Sequence, residues 1–296
     1  MDGILNINKP LGRTSFSIVA QVRRLCGERR VGHAGTLDPE ASGVLPVCLG
    51  RGTRVVEFLQ DWGKAYRAEI SLGVTTDTYD AVGKVICRRD SSGISLGQFE
   101  QALGSFCGLI SQTPQMFSAL KYHGRRLYEL ARAGVTVRRQ SRQIKIHRLR
   151  LVDFKPPVAT IEIECGKGTY IRSLAHDLGE LLGCGAHLKS LVRLRYGPFD
   201  IADAVSLSQL EDAFCNDTWQ GLVYPSDTVL SHWAAVVVSK EQEQGVRNGV
   251  PLALENGPDE ASDGRRCRVY SRDGCFLAVL RFCPESGQWK PEKVFV

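Results

Sequence analysis

The chain has 296 residues, an apolar fraction of 43%, a charged fraction of 24% and a formal net charge of +6. That length suits one sizeable core beside a smaller unit, and the balance is that of an ordinary globular protein. No apolar run approaches the roughly 18 residues that a spanning helix needs. The opening Met1-Asp2-Gly3-Ile4-Leu5-Asn6 lacks the basic and apolar regions of a signal peptide, so a cytoplasmic protein away from membranes is expected. The ten cysteines form no Cys-x-x-Cys pair and have no histidine at zinc-ligand spacing, which points to a reducing compartment and no metal.

In chain order, Gly3 to Ile7 reads as a strand ending at the Lys9-Pro10-Leu11-Gly12 turn. Thr14-Ser15 offers an N-cap for a helix with Phe16, Val19, Val22 and Leu25 on its apolar face, closed by Gly27. Residues 31–46 hold three glycines and two prolines and read as a shaped loop, anchored by a strand through Val44, Leu45, Val47 and Leu49. A short helix follows over Gly52 to Leu59, then a strand over Lys64 to Gly73. Thr75 to Asp80 is a polar connection to a returning strand over Val82 to Cys87, and Ser95 to Phe106 fits a capped helix. Thr113 to Lys121 is irregular, and Gly124 to Ala133 is a short basic helix.

Residues 121–150 carry ten basic residues against Glu129 alone, a local +9 that leaves −3 for the rest of the chain. Arginines outnumber lysines there by eight to two, which suits a polyanion because the guanidinium fork matches phosphate; a solvated charged face is the plainer alternative. Strands are expected over Gln143 to Val152, Val158 to Cys165 and Ala186 to Arg195. Between the last two lies a helix burying Leu174, Leu178, Leu181 and Leu182, and a last helix spans Ser206 to Phe214. Patterning weakens near 216–231, and 232–296 reads as a small β-rich unit with strand candidates at 234–238, 268–270 and 276–280.

Few residues invite chemistry. There is no Walker loop, Gly-x-Ser-x-Gly elbow or His-Glu-x-x-His. Asp38, central in the shaped loop, either starts and caps a turn or acts as a lone reacting carboxylate. His33 has no companion ligand, so contact with a substrate or the turn suits it better than a metal. Arg172, near a helix start where its charge opposes the dipole, calls for an anionic partner or an ion pair with a nearby acid. Tyr66 and Tyr170 read first as core aromatics.

The loop Gly32-His33-Ala34-Gly35-Thr36-Leu37-Asp38-Pro39 with Ser42-Gly43-Val44-Leu45-Pro46 closely resembles the catalytic motif of the TruB family of tRNA pseudouridine synthases. So do the stretches Gly3 to Pro10, Tyr66-Arg67-Ala68 with Leu72-Gly73 and Thr76-Asp77, and Ser118-Ala119-Leu120-Lys121. Arg126 to Arg132, Lys167 to Arg172 and Gly183 to Leu188 complete the set. All fall in the family's order within residues 1–195. Gln115 and Phe117 depart from the proline or serine and the tyrosine that the family pattern has there, a change expected to touch RNA contacts rather than catalysis.

The resemblance implies an α+β pseudouridine-synthase fold: a central mixed, largely antiparallel sheet flanked by helices over 1–225, with a basic RNA-clamping insertion at about 113–142. It also implies a PUA-like RNA-binding domain over 232–296. The implied activity is isomerisation of uridine 55 in the T-arm loop of tRNA, on an extruded base. No cofactor, metal or obligate protein partner is implied, and a monomer is expected. Asp38 would be the catalytic carboxylate, by attack on C6, attack at C1′ or assistance to elimination, and Arg172 would be its counter-ion. Tyr66 would lie against the base and join in proton transfer; Tyr170 and Leu191 would line the pocket, and His33 would fill the space the nucleotide vacates. Lys9, Lys121, Arg125, Arg126 and Arg132 would bind RNA. A guide-RNA-dependent synthase of the same superfamily and a non-catalytic RNA-binding or RNA-folding protein are the rival readings.

Overall fold

The computed structural model describes residues 1–118, 120–254 and 266–296. The chain opens with β1 (Gly3–Lys9), α1 (Ser15–Cys26), β2 (Val31–His33) and β3 (Ala41–Leu49); a 3-10 turn over Gly50–Val55 then runs into α2 (Val56–Leu59). β4 (Lys64–Leu72), the short pair β5 (Val74–Thr76) and β6 (Val85–Arg88), α3 (Leu96–Gly104) and β7 (Gly108–Gln112) follow. An excursion then carries β8 (Lys121–Tyr122), β9 (Arg125–Arg126) and α4 (Leu127–Arg132) before the chain re-enters the sheet as β10 (Arg142–Lys155). Next come β11 (Val158–Cys165), α5 (Ile171–Leu181), β12 (Ala186–Tyr196), β13 (Phe199–Asp200), α6 (Leu207–Cys215) and β14 (Val223–Tyr224). The C-terminal part holds β15 (Ala234–Val237), α7 (Lys240–Arg247), β16 (Arg266–Tyr270), β17 (Phe276–Cys283) and β18 (Gln288–Val294).

The main sheet runs in the order β14-β1-β3-β12-β4-β11-β10-β7, with β2 also paired to β3 and β13 to β12. Every pairing in it is antiparallel except β3 with β12. It is the mixed, largely antiparallel sheet that the resemblance implies. Alternation on β4 puts Tyr66, Ala68, Ile70 and Leu72 on one face, where they pack with Val19 and Val22 of α1, Phe99 of α3, and Leu174 and Leu178 of α5. The opposite face of the central strands is charged and self-compensated: Glu162 takes both Arg67 and Arg150, Glu164 takes Arg195, and Glu69 takes Lys189. A second, four-stranded sheet, β15-β16-β17-β18, surrounds its own apolar cluster of Val246, Val269, Leu280 and Trp289.

Several elements differ from the sequence expectation. α1 is capped by Thr14 and closed by Gly27 in the left-handed region, as its ends promise, but it buries Ser15, Ile18, Val19 and Val22, the i, i+3, i+4, i+7 stripe. Phe16 falls off that stripe and is 70% exposed. Leu181, expected in the core, is exposed at the last turn of α5. β7 escaped the sequence reading because it is a five-residue edge strand whose Leu109 points to solvent.

One buried acid has a measurable consequence. Asp177, partly buried on α5, is pushed up from its ordinary 3.8 to about 6, by burial first and by Glu180 second. A carboxyl whose folded pKa is raised contributes stability that is complete below the unfolded value and lost as pH rises through the folded one. Asp177→Asn is therefore expected to raise the melting midpoint above pH 7 and to leave it unchanged below about pH 3.8; thermal scans across that range check this, and a lowered midpoint at pH 7.5 would contradict it.

Candidate active site

The stretch that looked like one long loop is strand at both ends, and the true turn is residues 34–40 between β2 and β3. Its shape is pinned from several sides. The Ala34 N–H donates to Pro46 O at 3.0 Å, and the Gly12 N–H donates to Pro39 O at 2.9 Å. Ser15 Oγ accepts from the Leu37 N–H at 2.9 Å and donates to Leu37 O at 3.0 Å. β3 crosses β12 so closely that a Cβ on Gly43, whose φ is +99°, would sit 2.2 Å from Arg193 O; only glycine fits.

Lys9 belongs to the same scaffold, and here the structure corrects the sequence expectation. Its side chain is fully buried, and its ammonium donates to the carbonyls of Pro10, Arg13 and Pro39 at 2.9, 2.6 and 3.3 Å. Burial pushes it down to about 8. A buried lysine spent on three backbone oxygens shapes the turn and leaves nothing to offer RNA.

The turn at Asp38 is closed by backbone alone, its carbonyl accepting from the Ala41 N–H at 3.0 Å. The carboxylate is left to meet Arg172 across the pocket, Oδ2 lying 2.9 Å from Nη2. Oδ1 has no hydrogen-bond partner among the described residues, and the Asp38 side chain is 47% exposed. One oxygen is thus held and the other is left open on a half-exposed carboxylate. Arg172 itself is 12% exposed and also binds Asp80, Nη1 to Oδ2 at 3.1 Å, and Phe117 O at 3.1 Å from Nη2. Its charge near the start of α5 is offset by two carboxylates, which repays the unfavourable dipole position.

Gln115 completes this group. Its carboxamide is assigned with the oxygen toward the guanidinium by the hydrogen bonds it makes, since its nitrogen then reaches Thr78 O at 3.3 Å. That oxygen lies 2.6, 2.7 and 3.0 Å from Nε, Nη2 and Nη1 of Arg172. A point so close to all three nitrogens of a planar group lies over its face, so the contact is charge against dipole and not a set of in-plane hydrogen bonds. Gln115 and Phe117, expected to bear on RNA contact, therefore touch the arginine of the site directly. Asp80 went unnoticed in the sequence; the only signal was a run of Thr and Asp before Gly83, and its partner lies 92 residues away.

Four further expected residues lie around this group. Tyr66 pairs with Arg193 and Ala68 with Leu191 across β4 and β12, while Leu191 pairs with Ala41 of β3. Antiparallel partners point to one face, so Tyr66, Leu191 and Arg193 form the floor beneath the Asp38 turn. Burial raises the Tyr66 phenol above its ordinary value, and the positive charge of nearby Arg193 opposes that rise. Tyr170 caps α5 with its backbone clamped by the Gln112 carboxamide at 2.8 and 3.0 Å. His33 ends β2 with a buried Nδ1 that has no hydrogen-bond partner among the described residues, and burial followed by the nearby Arg193 lowers its pKa, favouring neutral imidazole.

The profile of the TruB family pseudouridylate synthase N-terminal domain matches residues 23–171, and that of the tRNA pseudouridylate synthase B C-terminal domain matches residues 172–231. The chain belongs to the TruB family. A protein named tRNA pseudouridine synthase B from Dehalococcoides mccartyi (strain CBDB1) is 45% identical over 297 residues, covering 100% of this chain and 97% of that one. Its namesake from Symbiobacterium thermophilum is 48% identical over 86% of this chain and 84% of its own. Among solved structures, that of a Cbf5-Nop10-Gar1 complex aligns with TM-score 0.77 and 26% identity, covering 99% of this chain and 85% of that one. The enzyme is thus an isomerase of the TruB type, and Arg172 opens the second of its two matched segments.

The basic segment of this TruB-family chain divides in two. Arg142, Lys145, Arg148 and Arg150 are on β10, a strand of the main sheet, and Arg150 is already paired with Glu162. Arg125, Arg126 and Arg132 lie in the excursion at 113–141, exposed, with no salt bridge to an acid among the described residues. Arg126 and Arg132 flank the Tyr128 ring at 5.8 and 5.6 Å. Ala119 and the side chain of Lys121 lie outside the described residues.

Proposed function

We propose that the enzyme converts uridine 55 in the T-arm loop of tRNA to pseudouridine, alone, without cofactor, and with Asp38 as the reacting carboxylate. The observation that carries this reading is the Asp38–Arg172–Asp80 group, in which one oxygen of one half-exposed carboxylate is held and the other is open. In the isomerisation the N1–C1′ bond breaks, C5 bonds to C1′, C5 loses a proton and N1 gains one, with no change of oxidation state. A fixed carboxylate suits a step at C1′ or C6, and Arg172 keeps its charge local and its direction constant. The base, extruded from its loop, would lie against Tyr66 and Leu191 with Tyr170 at the side and His33 in the vacated space. Tyr66, kept undissociated by burial, would relay the C5 proton and not begin as a phenolate.

The exposed arginines of 113–141 would grip phosphate, and 232–296 would form a second, PUA-like RNA-binding domain beside a catalytic domain over 1–225. Support comes from the Tyr128-centred arginine cluster and from the separate C-terminal sheet. Changing Arg125, Arg126 and Arg132 together to alanine is expected to weaken tRNA binding and flatten the slope of log Kd against log salt by about 2 to 3, at ~0.7–0.9 per phosphate contact. An unchanged slope would remove the excursion from the binding surface. Release of tritium from C5-labelled uridine in tRNA tests the reaction itself; no release above background from wild-type enzyme would refute it.

A further inference from the structure

The floor of the pocket holds a cation that the proposed reaction does not use. Arg193 is 1% exposed, and among the described residues no carboxylate pairs with it. A buried guanidinium without a counter-ion is costly to folding, and this one is spent on an unusual pair of partners. Its Nε donates to Val44 O at 2.6 Å and its Nη2 to Gly35 O at 2.9 Å. Those carbonyls lie on either side of Asp38, Gly35 within the turn and Val44 in β3 beyond it. The same side chain stands beside Tyr66, its cross-strand partner, and lies over the Tyr196 ring at 5.0 Å.

We infer that Arg193 is a positioning residue that ties both sides of Asp38 to β12, whose neighbour β4 carries Tyr66 directly opposite, fixing the carboxylate and the phenol relative to one another. A planar fork can do this because its donors diverge at set angles; an ammonium on a flexible stem does not fix two carbonyls at set angles in one plane. Lys9 and Ser15 secure the outer side of the turn, against α1 and β1, whereas Arg193 is the link on the inner side, between turn and sheet. Its burial leaves it no direct contact with substrate, so its effect falls on the chemical step and not on tRNA affinity. The inference rests on Asp38 and Tyr66 being the reacting pair.

Arg193→Lys tests it under single turnover with enzyme in excess. The expected result is a fall of about 10- to 100-fold in kcat, the scale of a slight misplacement of reacting groups, with Kd for tRNA within about two-fold of wild type. A purely structural role would lower the melting midpoint and leave kcat unchanged at temperatures where the variant is folded; that outcome overturns the inference. Arg193→Gln, which retains two donors without the charge, is measured alongside and is expected to fall below wild type in kcat as well. If neither folds, exchange of the Arg193 Nε–H in the wild-type protein decides: strong protection is expected, and exchange at the rate of an exposed arginine overturns the inference. Wild-type enzyme inactive on tRNA would instead defeat the proposed function.

Discussion

Asparagine at position 38 is expected to abolish pseudouridine formation, with kcat falling by roughly 10⁴-fold or more, the scale of deleting an essential reacting group. Asparagine has the shape of aspartate, and its amide oxygen can still face Arg172 Nη2, which Asp38 meets at 2.9 Å. The turn itself is closed by the Asp38 carbonyl and by Ser15, so the backbone should not move. What disappears is the negative charge and the nucleophilic oxygen. Binding should survive, with Kd within about three-fold, because phosphate contacts supply most of the affinity and Asp38 is an anion that contributes none. Single-turnover kinetics beside filter binding separates the two quantities. Substantial turnover by the Asn variant would remove Asp38 from the reaction.

Lysine at position 172 is expected to lower kcat by roughly 10²- to 10³-fold, as a displaced reacting group does, while tRNA binding changes little. Arg172 spreads its donors over Asp38, Asp80 and Phe117 O at once, and one ammonium cannot satisfy carboxylates on two sides. If lysine pairs with Asp80, which is 11% exposed, Asp38 loses its anchor; if it pairs with Asp38, a buried carboxylate is left alone. The first costs rate and the second costs stability, about 3 kcal/mol or more for a stranded buried charge. Measuring kcat and melting midpoint together distinguishes them. A variant within ten-fold of wild type in kcat and equally stable would show that the shared pairing is unimportant.

Much of the fold was legible because local chemistry and global packing agree. Thr14, Ser95 and Ser206 cap their helices with side-chain bonds, and Gly27 ends α1 in the left-handed region. The alternation on β4 and the turn before β11 marked the sheet centre. Asp38 was legible as a residue of interest but not as a reacting one, since a glycine- and proline-rich turn has equal use for a capping aspartate. In three dimensions the backbone carbonyl closes the turn and the carboxylate meets Arg172, so the side chain does not cap the turn.

What escaped the sequence depended on long-range placement. Asp80 and Gln115 reach Arg172 from separate connections, and no local pattern shows that both fold over the start of α5. Lys9 looked like a surface cation because lysine rarely buries its ammonium; the three carbonyls that receive it come from a turn 30 residues away as well as from its own. The charge of 121–150 is contiguous in sequence, yet the sheet edge at Arg142 divides it into a strand, where Arg150 pairs with Glu162, and an excursion whose Arg125, Arg126 and Arg132 have no salt bridge among the described residues. Arg193 read as one more basic residue in a leucine-rich strand.

The most direct measurement is incubation of the purified enzyme, with no other protein and no guide RNA, with an unmodified tRNA transcript, followed by mapping of every pseudouridine formed. One pseudouridine, at position 55 of the T-arm loop, and none with the Asp38→Asn variant, is the predicted result. No product, product only when a guide RNA is supplied, or equal product from the Asn variant would contradict it.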